Sequence, residues 1–171
     1  MAELVLKRLT AQDGREIYDM LQEIPAEERG FQMSAHGMRY DEYQAWLAAQ
    51  ERNAAQTGLV DGWKVPQTMY WLYADGEPVG VVKLRHFLTD ALRDAGGHIG
   101  YAIRPTARGR GYGTAICRLA LREAFALGIE SVLITVQSDN EASKAVCRRN
   151  GGHEAPERSG HCYFWFTEDG R

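Results

Sequence analysis

Hydrophobic and polar residues follow two different periods along this chain. Alternation with period two, together with β-branched and aromatic residues, predicts strands at residues 4–9, 68–74, 78–88, 97–104, 131–136 and 162–166. Apolar residues that recur every three or four positions predict helices at residues 10–24, 40–52, 111–127 and 140–150. The predicted order is therefore strand–helix–helix, three strands, then helix–strand–helix–strand.

Turn-forming residues separate these predicted elements. Asp75-Gly76 joins the second and third strands and is a strong β-hairpin signal. Pro25 ends the first helix, and residues 27–37 and 53–66 are predicted as loops. Sequential hairpins followed by a strand–helix–strand unit predict an α/β fold with a mixed, mostly antiparallel central sheet flanked by helices.

Length and composition are those of a soluble globular protein with one domain, residues 1–171. The chain has 171 residues, of which 44% are hydrophobic and 25% charged. Its net charge of -3 is typical of neither a nucleic-acid binder nor a membrane-surface binder, so we expect no nucleic acid or membrane as partner.

The cysteines and the N-terminus predict a cytoplasmic protein. Cys117, Cys147 and Cys162 are odd in number and far apart, which favours reduced thiols over disulfides and over a metal site. The first residues, MAELVLKRLTAQD, have no apolar core of the length that a signal peptide needs.

The candidate site is the segment GHIGYAIRPTARGRGYGTAI, residues 97–116, where a strand runs through Pro105 into a glycine-rich helix start. Three glycines at a helix start weaken the helix by about 1 kcal/mol each relative to alanine. Arg108 and Arg110 place positive charge at the positive end of the helix dipole. A bound anion would remove this conflict, because free backbone N–H groups and arginines both bind phosphate.

Known phosphate-binding motifs differ in how they match this loop. A P-loop needs a lysine after its last glycine, which is absent, and a GxGxxG fingerprint would need glycine where Thr114 stands. The pattern that fits is Arg-x-x-Gly-x-Gly, formed by Arg108, Gly111 and Gly113. The alternatives are an ordinary glycine-rich turn and an RNA-binding RGRG segment, and the second lacks a flanking basic run.

This pattern and its strand–proline–loop–helix context resemble the GNAT superfamily of N-acetyltransferases. The stretches GGHIGYAIRP and LRHFL are also similar to a bacterial subgroup of undefined substrate. The resemblance covers residues 4–166 and implies direct transfer of an acetyl group from acetyl-CoA, the co-substrate, to an amine. It implies no metal, and it leaves the oligomeric state open, since GNAT proteins often form homodimers.

The resemblance also assigns acetyl-CoA-binding residues. The backbone N–H groups of the strand before the loop contact pantetheine and the thioester in GNAT proteins, and here they belong to Tyr101, Ala102 and Ile103. An asparagine at the start of the next helix, here Asn140, contacts CoA. The pyrophosphate loop maps to Arg108, Gly109, Arg110, Gly111, Tyr112, Gly113 and Thr114.

His98 is the candidate general base. It lies on the strand that presents the thioester, and its ordinary pKa is near 6.5. Arg85 and His86, near the end of the preceding predicted strand, are expected close to it. The alternative is a histidine that only forms hydrogen bonds within the sheet. A base, a water relay or desolvation is needed, because deprotonating an amine of pKa near 10.4 at pH 7 costs about 4.6 kcal/mol.

Cys147 is the candidate proton donor for the leaving thiolate. Many GNAT enzymes have a tyrosine seven residues after the asparagine, and this chain has Cys147 there. The alternatives are a simple buried cysteine, a hydrogen bond from Ser143, or protonation by water.

Residues 27–66 are expected to form the acceptor side of the site. Tyr40, Trp46 and Trp63 either line that wall or belong to the hydrophobic core. The predicted function is N-acetylation of a primary amine of a small molecule or peptide. The alternative is a CoA-binding sensor or interaction module without catalysis.

Overall fold

The computed structural model describes residues 1–56 and 62–170. The strands in these residues are Leu4–Arg8 (β1), Glu27–Glu28 (β2), Phe31–Gln32 (β3), Gln67–Ala74 (β4), Glu77–Arg85 (β5), Ile99–Ile103 (β6), Ser131–Gln137 (β7), His153–Arg158 (β8) and His161–Thr167 (β9). The α-helices are Arg15–Glu23 (α1), Tyr40–Ala55 (α2), Asp90–Asp94 (α3), Tyr112–Ala126 (α4) and Glu141–Arg149 (α5).

The strands form two larger antiparallel sheets and one small hairpin. The first sheet has the order β1-β4-β5-β6, the second has the order β7-β9-β8, and β2 pairs with β3. The Asp75-Gly76 turn joins β4 and β5 with positive φ at both residues, 49° and 84°, which a tight hairpin of this kind requires. The predicted α/β fold with a mostly antiparallel sheet and flanking helices is confirmed.

The two larger sheets meet at one point, next to β6 and β7. The His98 backbone N–H donates to Leu133 O at 2.8 Å, and the Leu133 N–H donates to His98 Nδ1 at 2.9 Å. Gly97 permits this approach, because a Cβ at that position would lie 2.5 Å from Leu133 O. Beyond this point β6 pairs with β5 and β7 pairs with β9, so the facing edges of β6 and β7 separate into a cleft.

Two hydrophobic clusters hold this arrangement from opposite sides. One lies between the sheets and the helices α4 and α5, and it includes Ile99 of β6 with Tyr101 and Ile103 packed against it. The other lies between the first sheet and the helices α1 and α2, where Val81 of β5 and Ala102 of β6 contribute. Alternate residues of β6 therefore face different sides of the sheet, as strand geometry requires.

Several elements differ from the sequence-based prediction. The hairpin β2–β3 lies in the predicted loop 27–37, and neither α3 nor β8 was predicted. β8 is an exposed edge strand without an apolar face, so its sequence carries no alternation to detect. Of the predicted loop 53–66, residues 53–55 belong to α2, and residues 57–61 lie outside the described residues.

The junction between the sheets predicts a specific stability effect at His98. Replacing His98 with alanine leaves the buried Leu133 N–H without its acceptor, so we expect a loss of about 1–3 kcal/mol in the free energy of unfolding, measured by urea denaturation. His98→Asn retains an acceptor near the position of Nδ1 and should lose less. His36→Ala, at an exposed histidine, is the control. An equal loss of unfolding free energy in His36→Ala and His98→Ala would contradict the role of His98 in joining the two sheets.

Candidate active site

A cavity of about 1100 Å³ occupies the cleft between the separated strands. Its walls come from β6, the end of β7, the starts of α4 and α5, and the β2–β3 hairpin. The cavity contacts residues from both faces of β6, since Tyr101 and Ala102 both line it. A ligand in this cleft can therefore reach from one side of the sheet to the other.

The start of α4 presents unoccupied backbone donors to this cavity. Within the part of the chain that the structure describes, the N–H groups of residues 109–114 donate to no protein acceptor. Gly109 and Gly111 have φ values of +80° and +81°, and a Cβ at either position would have no atom within 4 Å. The open loop and the positive end of a 15-residue helix together have the chemistry to bind an anion such as a diphosphate.

The two arginines of the loop have different environments. Arg108 donates from Nη2 to Glu28 Oε1 at 2.6 Å and from Nε to Ile103 O at 3.0 Å. It therefore ties the loop to the end of β6 and to the β2–β3 hairpin. Arg110 is exposed, and no described residue forms an ion pair with it, so its charge is available to an anion at the loop.

The start of α5 carries a hydrogen-bonded group that also lines the cavity. Asn140 caps the helix, since its Oδ1 accepts from the Ser143 N–H at 3.3 Å, and its Nδ2 donates to Ser143 Oγ at 3.2 Å. The Tyr101 hydroxyl donates to the same Ser143 Oγ at 3.2 Å, and burial raises its pKa above the ordinary value. The sequence suggested a backbone role for Tyr101 and gave no indication that its hydroxyl reaches α5.

The edge of β6 that faces the cleft also carries backbone donors. Arg104 N donates to Val79 O on β5 at 2.9 Å. Because N–H groups alternate between the two edges of a strand, those of Tyr101 and Ile103 are directed toward the cleft, whereas that of Ala102 is directed toward β5. Of the three backbone donors expected on this strand, two are therefore placed to meet a ligand.

His98 lies in the sheet junction and does not line the cavity. Its side chain is 6% exposed, and its Nδ1 accepts the Leu133 hydrogen bond. Burial, with smaller effects from Arg93 and Arg85, lowers its pKa to about 4. His86 is bonded to Thr68 at 2.8 Å instead of to His98. The geometry thus supports the alternative role, a hydrogen-bonded strand histidine.

Cys147 likewise lies in the hydrophobic core and does not line the cavity. Burial raises the pKa of its thiol far above the ordinary value. Cys117 and Cys162 are also buried and free. A buried thiol of this kind is a poor proton donor, so the geometry supports the simple core role that was the alternative.

The three aromatic candidates of the acceptor side separate into two groups. Trp46 is 8% exposed, donates from Nε1 to Ser34 Oγ at 3.0 Å and packs against Tyr43. Tyr40 packs in the same cluster, so both residues belong to the core on the α1–α2 side. Trp63 is 59% exposed and lines the cavity, as an acceptor-wall residue would.

Lys83, a half-buried residue of β5, lines the cavity and was not predicted as a site residue. Its Nζ donates to Gln32 O and lies 4.8 Å from the centre of the Phe31 ring. Burial, with a smaller effect from Arg85, lowers its pKa to about 8. The available signal was a lysine and an arginine two positions apart in an otherwise apolar strand.

Two further features of the described residues concern metal ions and membranes. In residues 1–56 and 62–170, no group of three or more His, Cys, Asp or Glu side chains is arranged to hold a metal ion. None of the described helices has the length and apolar character needed to cross a membrane.

Comparison with solved structures identifies the fold. RimL, a ribosomal L7/L12 α-N-protein acetyltransferase solved with coenzyme A, is similar with a TM-score of 0.69 and 18% identity, over 98% of this chain and 96% of that one. The Campylobacter jejuni N-acetyltransferase PseH, solved with acetyl coenzyme A, has a TM-score of 0.64 and 12% identity, over 97% and 99%. An Agrobacterium tumefaciens acetyltransferase has a TM-score of 0.63 and 18% identity, over 98% and 93%.

Comparison of sequences identifies the family. No curated protein matches this sequence. The family model described as an acetyltransferase (GNAT) domain matches residues 3–153, which is most of the chain. The chain belongs to the GNAT family of acetyltransferases, enzymes that use acetyl-CoA as the acetyl donor.

Proposed function

We propose that this enzyme transfers the acetyl group to a primary amine of a small molecule or peptide, by direct attack of the amine on the thioester. The observation that carries this proposal is the row of unpaired N–H groups at residues 109–114, next to the free edge of β6. Two structural neighbours are N-acetyltransferases by name, and one of them acts on a ribosomal protein, which supports an amine acceptor.

The residues in the cleft fit acetyl-CoA, which supplies an activated acyl group when it is bound. The N–H groups of residues 109–114 and the free guanidinium of Arg110 would hold the diphosphate. The N–H groups of Tyr101 and Ile103 would bind the pantetheine arm and polarise the thioester carbonyl. Asn140 would contact the arm from the start of α5. Ala102 would contribute its small side chain, and its N–H would stay in the sheet.

The acceptor amine must lose a proton before it attacks. Glu28 is the single carboxylate among the described cavity residues, and it is held by Arg108. His161 is the one histidine among those residues, and its Nδ1 lies 3.1 Å from Ser159 O. We infer that the proton leaves to water, with His161 Nε2 as the one imidazole acceptor in the described cavity lining. The positive charges of Lys83 and Arg85 assist, since a nearby like charge favours the neutral form of an amine.

The Tyr101 hydroxyl is the group that we propose to stabilise the leaving thiolate. A phenol has an ordinary pKa near 10 and a thiol one near 8.5, so full proton transfer from tyrosine is uphill by about 2 kcal/mol. Burial raises the pKa of Tyr101 further, which makes transfer still less favourable. We therefore propose that, when CoA is bound, Tyr101 redirects its single hydroxyl proton from Ser143 Oγ to the thiolate as a hydrogen bond. The thiolate then takes its proton from solvent.

The pairing of Glu28, the single carboxylate among the described cavity residues, with Arg108 favours one alternative function, a CoA-binding sensor without catalysis. Release of free thiol from acetyl-CoA in the presence of a panel of primary amines separates the two functions. Tight acetyl-CoA binding without turnover on any amine would support the sensor.

Gly111→Glu tests the diphosphate site. A carboxylate against the diphosphate should weaken CoA binding at least about 100-fold in calorimetry, through repulsion and loss of the open loop. Gly128→Glu is a matched control at the other end of α4, with a similar φ, +89° against +81°, and the same open surroundings. Equal CoA affinity in the two folded variants would contradict the loop assignment.

Tyr101→Phe and Cys147→Ala test the two candidates for assisting the leaving group. Loss of a hydrogen bond to a charged group costs about 1.5–3 kcal/mol, so Tyr101→Phe should lower kcat about tenfold or more. Cys147→Ala should leave kcat within about twofold and lower the melting temperature, because a buried side chain is truncated. The reverse pattern in folded variants, with kcat lost only in Cys147→Ala, would support Cys147 as the proton donor to the leaving thiolate.

A further inference from the structure

Lys83 and Arg85 form a pair of positive charges on one face of β5. They are two positions apart in the strand, so their side chains lie on the same side of the sheet. Both are half-buried, and both line the cavity. Lys83 lies directly opposite Gly100 of β6, which has no side chain to cover it.

Neither charge has an anionic partner among the described residues. Lys83 Nζ bonds only to Gln32 O, which leaves two of its protons free. Arg85 Nη1 donates to Gly96 O and Gly97 O at 3.2 and 3.1 Å, and its other guanidinium nitrogens have no acceptor in residues 1–56 and 62–170. These bonds to carbonyls leave the positive charge uncompensated.

The other arginines of the cavity are neutralised. Arg108 pairs with Glu28 at 2.6 Å, and Arg29 pairs with Asp139 at 2.8 Å. An uncompensated pair of half-buried like charges is unfavourable, because each loses hydration and repels the other. Burial lowers the pKa of both residues, which is consistent with this conflict.

The pair lies on the opposite face from the diphosphate site. Val81, which shares the face of Lys83, packs in the cluster on the α1–α2 side, whereas Tyr101 and Ile103 pack toward α4. Trp63 and Phe31 line the cavity with the pair. The cavity thus has a phosphate-binding end next to α4 and a second cationic end on the other side of the sheet.

We propose that Lys83 and Arg85 bind an anionic group of the acceptor, so that the preferred substrate is an amine that also carries a carboxylate or a phosphate. This inference rests on the proposed N-acetyl transfer and narrows its substrate class. Arg85 keeps its guanidinium in place through the two glycine carbonyls, and Lys83 contributes a mobile point charge beside the Phe31 ring.

Matched pairs of amines test the proposal through kcat/KM with saturating acetyl-CoA. The pairs are L-phenylalanine with phenethylamine, a Ser-Glu dipeptide amide with Ser-Gln amide, and O-phosphoethanolamine with ethanolamine. The anionic member of at least one pair should be preferred by about tenfold or more, as expected for a charge-assisted contact. The preferred pair identifies the source of the anion as a free amino acid, an acidic peptide or a phosphate ester.

Variants of Lys83 test whether the preference for anionic amines arises from Lys83 and Arg85. Lys83→Met should reduce the anionic-to-neutral ratio about tenfold with an unchanged Kd for acetyl-CoA, and Lys83→Arg should retain most of the preference. The control is Lys7→Met, since Lys7 packs over Tyr73 away from the cavity. Using the ratio cancels any effect of Lys83 on amine deprotonation, which is common to both members of a pair.

The outcomes separate this proposal from the one on which it rests. Equal or better turnover of the neutral amines overturns the anionic substrate class and leaves N-acetyl transfer intact. A Lys83→Met variant that weakens acetyl-CoA binding without changing the anionic-to-neutral ratio of kcat/KM also overturns it, because Lys83 would then bind acetyl-CoA and not the acceptor. Turnover of no amine at all overturns the proposed function itself.

Discussion

The divergence of β6 from β7 is the constraint on which the site depends. Where the two strands are closest, His98 joins them through two hydrogen bonds to Leu133, one from its backbone N–H and one to its side-chain Nδ1. Gly97 makes the close approach possible. Past this point the β6 edge has unpaired N–H groups, which would be costly if they were buried without partners. The cleft gives those groups access to a ligand, so the same feature that interrupts the sheet creates the binding site.

The chemistry of the cleft follows from which elements surround it. The start of α4 contributes N–H groups and a positive dipole end, and β5 contributes Lys83 and Arg85 from the other face of the sheet. Tyr101 lies between these two regions and is anchored to α5 through Ser143. Positive potential at both ends suits a donor with phosphates and, as we propose, an anionic acceptor. It also favours the neutral form of an amine, which we propose as the acceptor.

His98 and Cys147 illustrate how burial changes the role that a residue type suggests. An imidazole on the central strand and a thiol at the position of a family tyrosine both have ordinary pKa values suited to proton transfer. Burial lowers the pKa of His98 to about 4 and raises that of Cys147, so neither is prepared for proton transfer near pH 7. Tyr101 and Lys83 show the converse, since both line the cavity although neither was predicted to contribute its side chain to the site.

Local sequence determined the features that depend on neighbours in the chain. Period and turn residues predicted most strands and helices, and Gly109 and Gly111 predicted an anion-binding helix start because only local backbone geometry is involved. The hairpin β2–β3 and the edge strand β8 escaped prediction, since two-residue strands and a strand without an apolar face carry no detectable alternation. Tertiary structure alone decided that His98 closes the cleft and that Lys83 lines it. Burial, charge and solvent access are set by residues far away in sequence, and these quantities govern whether a titratable side chain binds, reacts or only packs.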